Sequence, residues 1–317
     1  DNLIFLEDGE SFLWTSERDG YNHIYKFGYD GSSTQLTKGE WDVLEFSGYD
    51  SKKKNCYFSS SMFGPTQKHQ HRVDLNGNIT TLDQTPGHHG ANYSSTFAYS
   101  IYNYSNANTP PVYTLRDRNG RTLRTLKDNS AIVDKLEDYN YSDKVFFTIT
   151  NDAGVELNCW MIPPHEVDPE KKYPVYVAIY GGPGVNTVQD SWGGSGLMWH
   201  QYLAQEGYVV ASIDPRGTPG RGKDFEHSTY KELGKLETED FIDFAEFLGS
   251  HALVDKDRIG IQGWSYGGFM TLLSMTKGAH VYNAGISVAP VTNWRYYDTI
   301  YTERFMETPQ ENVSGYD

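Results

Sequence analysis

Gly263-Trp264-Ser265-Tyr266-Gly267-Gly268 is the stretch on which the reading of the whole chain turns. Before it runs Ile259-Gly260-Ile261, a short buried strand by pattern. After it comes Phe269-Met270-Thr271-Leu272-Leu273-Ser274-Met275, which reads as a helix ending near Gly278. Ser265 therefore falls on the turn from a strand into a helix. A residue on so sharp a turn is held in strained backbone, and Gly263 and Gly267, lacking Cβ atoms, let strand and helix approach until the hydroxyl stands clear. This is the pattern of a nucleophile elbow. The alternative, an incidental serine in a glycine-rich turn, leaves the strand before, the helix after and the filled glycine positions unexplained.

Working outward, the 317 residues are enough for two domains with separate cores. They carry 27 Lys plus Arg against 42 Asp plus Glu, a formal charge of −15. That balance argues against nucleic acid or an anionic membrane as partner, because both need clustered positive charge. The two cysteines, Cys56 and Cys159, cannot build a disulfide framework or a Cys-rich zinc site, and the histidines show no metal-ligand spacing. No cofactor or metal is expected. No apolar run approaches the length of a membrane span, and the opening Asp1-Asn2-Leu3-Ile4-Phe5 lacks the regions of a signal peptide, as a mature secreted chain also would.

Residues 1–128 read as β structure that repeats. Tyr25-Lys26-Phe27-Gly28-Tyr29-Asp30-Gly31, Val73-Asp74-Leu75-Asn76-Gly77 and Leu115-Arg116-Asp117-Arg118-Asn119-Gly120 each predict a hairpin with Asp-Gly or Asn-Gly at its tip. The glycines recur 46 and 43 residues apart, and an aromatic strand precedes each hairpin: Phe12-Leu13-Trp14, Tyr57-Phe58 and Phe97-Ala98-Tyr99. A period in the low forties made of about four strands is that of propeller blades, here about three; unrelated hairpins in a sandwich are the alternative. Closed propellers use about four to eight blades. Either further blades precede residue 1 or the strands are arranged otherwise. His69, His71, His88 and His89 fall in this region and are expected on surface loops.

Residues 129–317 change character. A short helix within 129–138 is followed by the strands Lys144–Thr150 and Val155–Ile162, then by the apolar run Pro174–Tyr180, of the kind buried on both faces in a parallel sheet. At its end Tyr180-Gly181-Gly182-Pro183-Gly184 can bring a backbone or strand-end group against a bound carbonyl. A helix over Leu197–Glu206 leads to the strand Tyr208–Ile213, closed by Asp214-Pro215-Arg216-Gly217, where Arg216 is expected to pair with Asp214 or a neighbouring carboxylate. The helix Thr238–Leu248, capped by Thr238, sets Phe241, Phe244, Ala245 and Leu248 in a core stripe. Ala284–Val288 is another buried strand. This alternation predicts a doubly wound, mostly parallel α/β-hydrolase sheet with its ligand at the carboxyl ends of the strands.

These pieces, with Ala289-Pro290-Val291-Thr292-Asn293-Trp294-Arg295-Tyr296-Tyr297-Asp298-Thr299-Ile300-Tyr301-Thr302-Glu303-Arg304, resemble the prolyl oligopeptidase family of serine peptidases, in its dipeptidyl peptidase IV branch. The resemblance implies Ser265 as nucleophile and the Tyr266 N–H and Tyr180 hydroxyl as oxyanion donors. It implies Val291, Trp294, Tyr297 and Tyr301, with the Tyr266 ring, around a proline-sized P1 side chain. Without the family, Trp294, Tyr297 and Tyr301 would read as a helical core stripe. The implied activity is release of X-Pro or X-Ala dipeptides from peptide amino termini, by a homodimer at a secreted, periplasmic or surface location. A tripeptidyl aminopeptidase of the same family and a non-catalytic module that binds protein partners are the alternatives.

The triad order on this fold is Ser, then Asp or Glu, then His. Past Ser265 the sequence offers one histidine, His280, placed by pattern at the wrong end of the elbow helix, and a single strand. The expectation is an internal piece of a longer peptidase, truncated at both ends and inactive by itself.

Overall fold

The hairpin repeat takes physical form in the computed structural model, which describes residues 3–139 and 141–317. Among those residues three four-stranded antiparallel sheets follow one another, each built from consecutive strands. The first holds β1 (Ile4–Phe5), β2 (Ser11–Ser16), β3 (His23–Gly28) and β4 (Ser33–Gln35). The second holds β5 (Val43–Asp50), β6 (Asn55–Ser60), β7 (His69–Asp74) and β8 (Ile79–Thr81). The third holds β9 (His88–Tyr93), β10 (Tyr99–Asn106), β11 (Thr109–Asp117) and β12 (Thr122–Lys127).

Each quoted turn joins the third strand of its sheet to the fourth. Gly31, Gly77 and Gly120 have φ of 86°, 87° and 83°, a left-handed conformation that glycine adopts without a Cβ clash. Asp74 Oδ1 accepts the N–H groups of Asn76 and Asn78 at 2.8 and 3.0 Å, and Asp117 Oδ1 those of Asn119 and Arg121 at 3.0 and 3.1 Å. The same carboxylate thus ties the same turn in two successive repeats.

Phe97 departs from the expected strand. It sits in a turn with φ 51°, and its ring packs 4.9 Å from that of Tyr57 and 5.5 Å from that of Tyr93. Its apolar character serves that stack; β10 begins only at Tyr99.

The histidines depart further, for they lie on β7 and β9 rather than on surface loops, with His69, His71 and His89 buried. His71 is held between Ser60 Oγ at 2.8 Å and Thr81 Oγ1 at 3.1 Å, and His89 between Tyr102 Oη at 2.8 Å and the Thr85 carbonyl at 2.7 Å. His71 and His89 thus have partners for both ring nitrogens, from neighbouring strands and the turn at Thr85, while His69 has one at Nδ1, the Asp83 carbonyl, and none at Nε2.

The chain divides into two compact units. One runs to Asp138 and includes Gln189–Gly193 and Gly220–Asp224; the other comprises Tyr139–Val188, Gly194–Pro219 and Phe225–Asp317. Helix α1 (Ser130–Glu137) falls in the first unit, where Asn129 Nδ2 donates to the Pro111 carbonyl at 2.6 Å. The excursion 189–193 is tied there by Asp190, whose carboxylate accepts Ala107 N–H at 2.8 Å and Gln67 Nε2 at 3.0 Å.

The second unit is organised on a six-stranded sheet of β13 (Val145–Thr150), β14 (Glu156–Ile162), β15 (Tyr173–Ile179), β16 (Val209–Ile213), β17 (Val254–Trp264) and β18 (Ala284–Val288). Its order is β13-β14-β16-β15-β17-β18; β13, β14 and β16 pair antiparallel, and β16, β15, β17 and β18 run parallel. Its helices are α2 (Gly194–Gln205), α4 (Lys235–Ser250), α5 (Tyr266–Lys277), α6 (Thr299–Met306) and α7 (Val313–Tyr316), while the short α3 (Lys223–Glu226) spans the point at Asp224 where the chain passes from one unit to the other.

The predicted stripe of α4 is core: Phe241, Phe244, Ala245 and Leu248 are fully buried against Val175, Val177, Ile179, Ile259 and Ile261. Each phenylalanine so buried contributes about 1.5–3 kcal/mol. The helix starts earlier than its sequence suggests. Gly234 is its N-cap, the Glu237 carboxylate takes up the Gly234 N–H at 3.0 Å, and Thr238 lies inside the first turn with its hydroxyl on the Gly234 carbonyl. β18 is the outermost strand of the order among the described residues, and within them Ile286 is 58% exposed.

Candidate active site

β17 carries the chain to Trp264, and α5 starts at Tyr266; the one residue between them is Ser265, with φ 58° and ψ −114°. Those angles mirror ordinary extended backbone and are sparsely populated by any residue with a Cβ. The conformation is held from both sides. Ser265 N–H donates to the Val288 carbonyl of β18 at 2.9 Å, and the Ser265 carbonyl accepts Phe269 N–H at 3.1 Å as the first bond of α5. The glycines keep the helix close to the strands: a Cβ on Gly267 would lie 2.5 Å from the Ile179 carbonyl oxygen, and one on Gly263 would run into the backbone of Gly267. Ser287 Oγ, donating to the Gly268 carbonyl at 2.9 Å, fastens β18 to the same helix end.

The end of β15 meets this elbow. Ile179 is the parallel partner of Gly263, so Tyr180 and Ser265, one and two residues further on, leave the sheet at the same carboxyl edge. The Tyr180 ring lies 6.0 Å from that of Tyr266. Burial, followed by the nearby Tyr297, raises the Tyr180 phenol above its ordinary range, which keeps it a hydrogen-bond donor at neutral pH.

Trp294, Tyr297 and Tyr301 come together with Tyr266, but not as one helical stripe. Trp294 lies on a 3₁₀ turn, Trp294–Tyr296, and Tyr301 on α6. Asn293 caps the turn by accepting Arg295 N–H at 2.9 Å, and Asp298 caps α6 by accepting Tyr301 N–H at 2.9 Å. Two Asx caps within six residues break what spacing alone reads as a single helix. The Trp294 ring stacks 5.8 Å from Tyr301, stands edge-on 5.9 Å from Tyr297 and lies 5.6 Å from Tyr266. Val291 packs on the adjoining core. Trp294 Nε1 and Tyr301 Oη are buried without a partner in this structure. The cluster is an aromatic surface with the flat shape a five-membered ring could lie against.

Two features escape a reading of the sequence alone. Glu237 is fully buried, with Oε1 accepting the Tyr266 hydroxyl at 2.6 Å and Oε2 the Gly234 N–H at 3.0 Å. Burial drives its pKa up to about 7 against the pull of those hydrogen bonds. A glutamate at the third position of a helix is the available signal, and it is hidden because Thr238 by itself reads as the cap of a helix that in fact starts at Lys235.

Asp214 and Arg216, the second feature, do not pair with each other. Asp214 accepts Thr187 N–H at 2.7 Å, Thr187 Oγ1 at 2.8 Å, Val188 N–H at 3.1 Å and Asn186 Nδ2 at 3.1 Å, pinning the loop after Tyr180-Gly181-Gly182. Arg216 takes the other of the two expected kinds of partner, a neighbouring carboxylate, binding buried Asp240 at 2.8 Å and Glu239 at 3.1 Å. His280 follows α5 at the end remote from Ser265, about 18 Å along the axis by helical rise, and meets Glu246 at 3.3 Å.

Among the described residues no group of three or more His, Cys, Asp or Glu side chains could hold a metal, and no helix is long and apolar enough to cross a membrane.

Comparison with known proteins gives the chain its family. The profile of the prolyl oligopeptidase family matches residues 196–317, and that of the dipeptidyl peptidase IV N-terminal region matches residues 1–111. Dipeptidyl peptidase 4 of Trichophyton equinum is 36% identical over 316 residues, spanning 97% of this chain and 40% of the relative. The same-named protein of Arthroderma otae is 35% identical over 316 residues with the same shares of 97% and 40%. The crystal structure of Porphyromonas gingivalis dipeptidyl peptidase 4 superimposes with a TM-score of 0.93 at 41% identity, over 99% of this chain and 44% of that one. The chain thus spans about 40% of the length of the curated relatives it matches. With a propeller-type region followed by a hydrolase region, it belongs to the prolyl oligopeptidase family and is similar to the family's dipeptidyl peptidase IV branch.

Proposed function

We propose that this chain carries the nucleophile, the oxyanion donors and the P1 pocket of a serine exopeptidase that releases dipeptides, with proline or alanine second, from peptide amino termini. The observation behind this reading is the placement of Ser265 on a positive-φ turn, at the sheet edge shared with Tyr180. Ser265 Oγ forms a bond to the carbonyl carbon, and the tetrahedral oxyanion is met by the Tyr266 N–H at the start of α5 and by the Tyr180 hydroxyl. The carbon–nitrogen bond then breaks, the serine's proton goes to the departing amine by way of a general base, and water cleaves the resulting ester.

Val291, Trp294, Tyr297, Tyr301 and the Tyr266 ring form the P1 wall, where a proline ring, which has no N–H to satisfy, is selected by shape and apolar area. The names of the relatives support dipeptide release. We assign His280 no part in the chemistry, given its place beyond α5 and its contact with Glu246. By themselves these 317 residues are therefore expected to turn over little substrate, since loss of the triad histidine removes several orders of magnitude. The three sheets of the first unit we read as propeller blades. Dimerisation and a location outside the cytoplasm belong to the same proposal by resemblance alone.

A fluorophosphonate probe on the full-length protein tests the central point. Labelling at Ser265, abolished by Ser265→Ala, is expected; a protein that hydrolyses X-Pro substrates with Ser265 unlabelled would refute the assignment.

A further inference from the structure

A carboxylate is rarely placed out of reach of water unless both its oxygens are engaged. Glu237 is such a group, and its two oxygens do different things. Oε2 takes the Gly234 N–H, the ordinary task of a side chain in the first turn of a helix. Oε1 takes the Tyr266 hydroxyl at 2.6 Å, which capping does not require.

Tyr266 is the residue next to Ser265. Its backbone opens α5, and its ring, 2% exposed, lies 6.0 Å from Tyr180, 5.6 Å from Trp294 and 5.6 Å from Phe269. One carboxylate oxygen on α4 thus anchors the ring that touches both the strand-end tyrosine and the pocket tryptophan. We propose that Glu237 is a positioning residue of the Ser265 site, fixing the Tyr266 ring as one wall of the P1 pocket and thereby setting the preference for proline. The proposal rests on the peptidase reading above and deepens it.

The groups that face this carboxylate are few. Tyr266 comes from α5, with Tyr180 at the end of β15 and Tyr301 on α6 beyond it. Asp240 lies one turn further along α4 with its charge met by Arg216. Burial first, and the Asp240 charge last, raise Glu237 to about 7. When ionised, it accepts both hydrogen bonds. When protonated, the oxygen that bears the hydrogen becomes a donor and a much poorer acceptor, so one of the two accepted bonds is weakened. Glutamine, with one acceptor and one donor end, reproduces the protonated pattern at every pH.

The test uses the full-length protein, a fluorophosphonate probe, and p-nitroanilide substrates with proline or alanine at P1. Glu237→Gln is expected to keep probe labelling of Ser265 while the proline-to-alanine ratio of kcat/KM falls about tenfold. Tyr266→Phe, which removes only the hydroxyl, should lower the ratio comparably, and the double variant should be no worse than the worse single one. The parent's ratio should decline as pH drops through about 7, whereas that of Glu237→Gln stays flat and low. Purely structural damage would not move the pH dependence of this ratio. A labelled parent whose ratio Glu237→Gln leaves unchanged overturns the proposal alone; if that variant does not fold, an unchanged ratio in Tyr266→Phe does the same. A parent that hydrolyses both substrates without labelling at Ser265 overturns the underlying reading, and this inference with it.

Discussion

Replacing Ser265 in two ways isolates the strain stored at the elbow. Alanine and glycine both remove the hydroxyl, so they share any loss of chemistry, but only alanine keeps a Cβ on backbone held at φ 58° and ψ −114°. A non-glycine residue in such a region costs about 1–3 kcal/mol, whereas glycine visits this mirror of extended backbone freely. Against that gain, glycine costs about 0.5–1 kcal/mol more than alanine in lost chain entropy on folding. The difference leaves Ser265→Gly more stable than Ser265→Ala by about 1 kcal/mol. For a domain of this size that is a rise of about 2–4 °C in Tm. Thermal unfolding of the full-length variants, followed by calorimetry, measures it, with loss of fluorophosphonate labelling as the control in both. If Ser265→Gly melts at or below Ser265→Ala, the backbone is not strained as described and the argument from it falls.

Three further outcomes are expected. Tyr180→Phe should lower kcat for X-Pro substrates about 10²–10³-fold, as loss of one oxyanion donor does, while fluorophosphonate still labels Ser265; an unchanged kcat would remove Tyr180 from the mechanism. Arg216→Ala leaves Asp240, which is 0% exposed, without its cation, and should destabilise the hydrolase unit by about 3–5 kcal/mol in urea unfolding. His71 is pushed by burial from 6.5 down to about 4. Between those values the unfolded chain takes up a proton that the folded one refuses, so the stability present above pH 6.5 is lost as pH falls through 4. The loss is about 3 kcal/mol, and urea midpoints of His71→Asn across that window should be correspondingly flatter; equal slopes would contradict it.

Residues adjacent in sequence, and the backbone they demand, were legible without coordinates. The elbow was legible because its glycines, strand and helix all lie within about twenty residues and a local steric rule governs them. The hairpins were legible for the same reason, a positive φ at Gly31, Gly77 and Gly120 being a demand of the turn itself. The proposed pocket residues came from resemblance, for periodicity alone folds Trp294, Tyr297 and Tyr301 into one helix that the caps at Asn293 and Asp298 prevent.

What the tertiary structure decided was which distant groups meet. Glu237 and Tyr266 are 29 residues apart, and Arg216 and Asp240 are 24 apart. The buried state of His69, His71 and His89 depends on partners on neighbouring strands and turns. A polar residue in a sequence carries no mark of whether water will reach it. Only the packing of one element against another removes the water, and that removal moves the Glu237 carboxyl toward neutrality and gives the Tyr266 hydroxyl a single place to point.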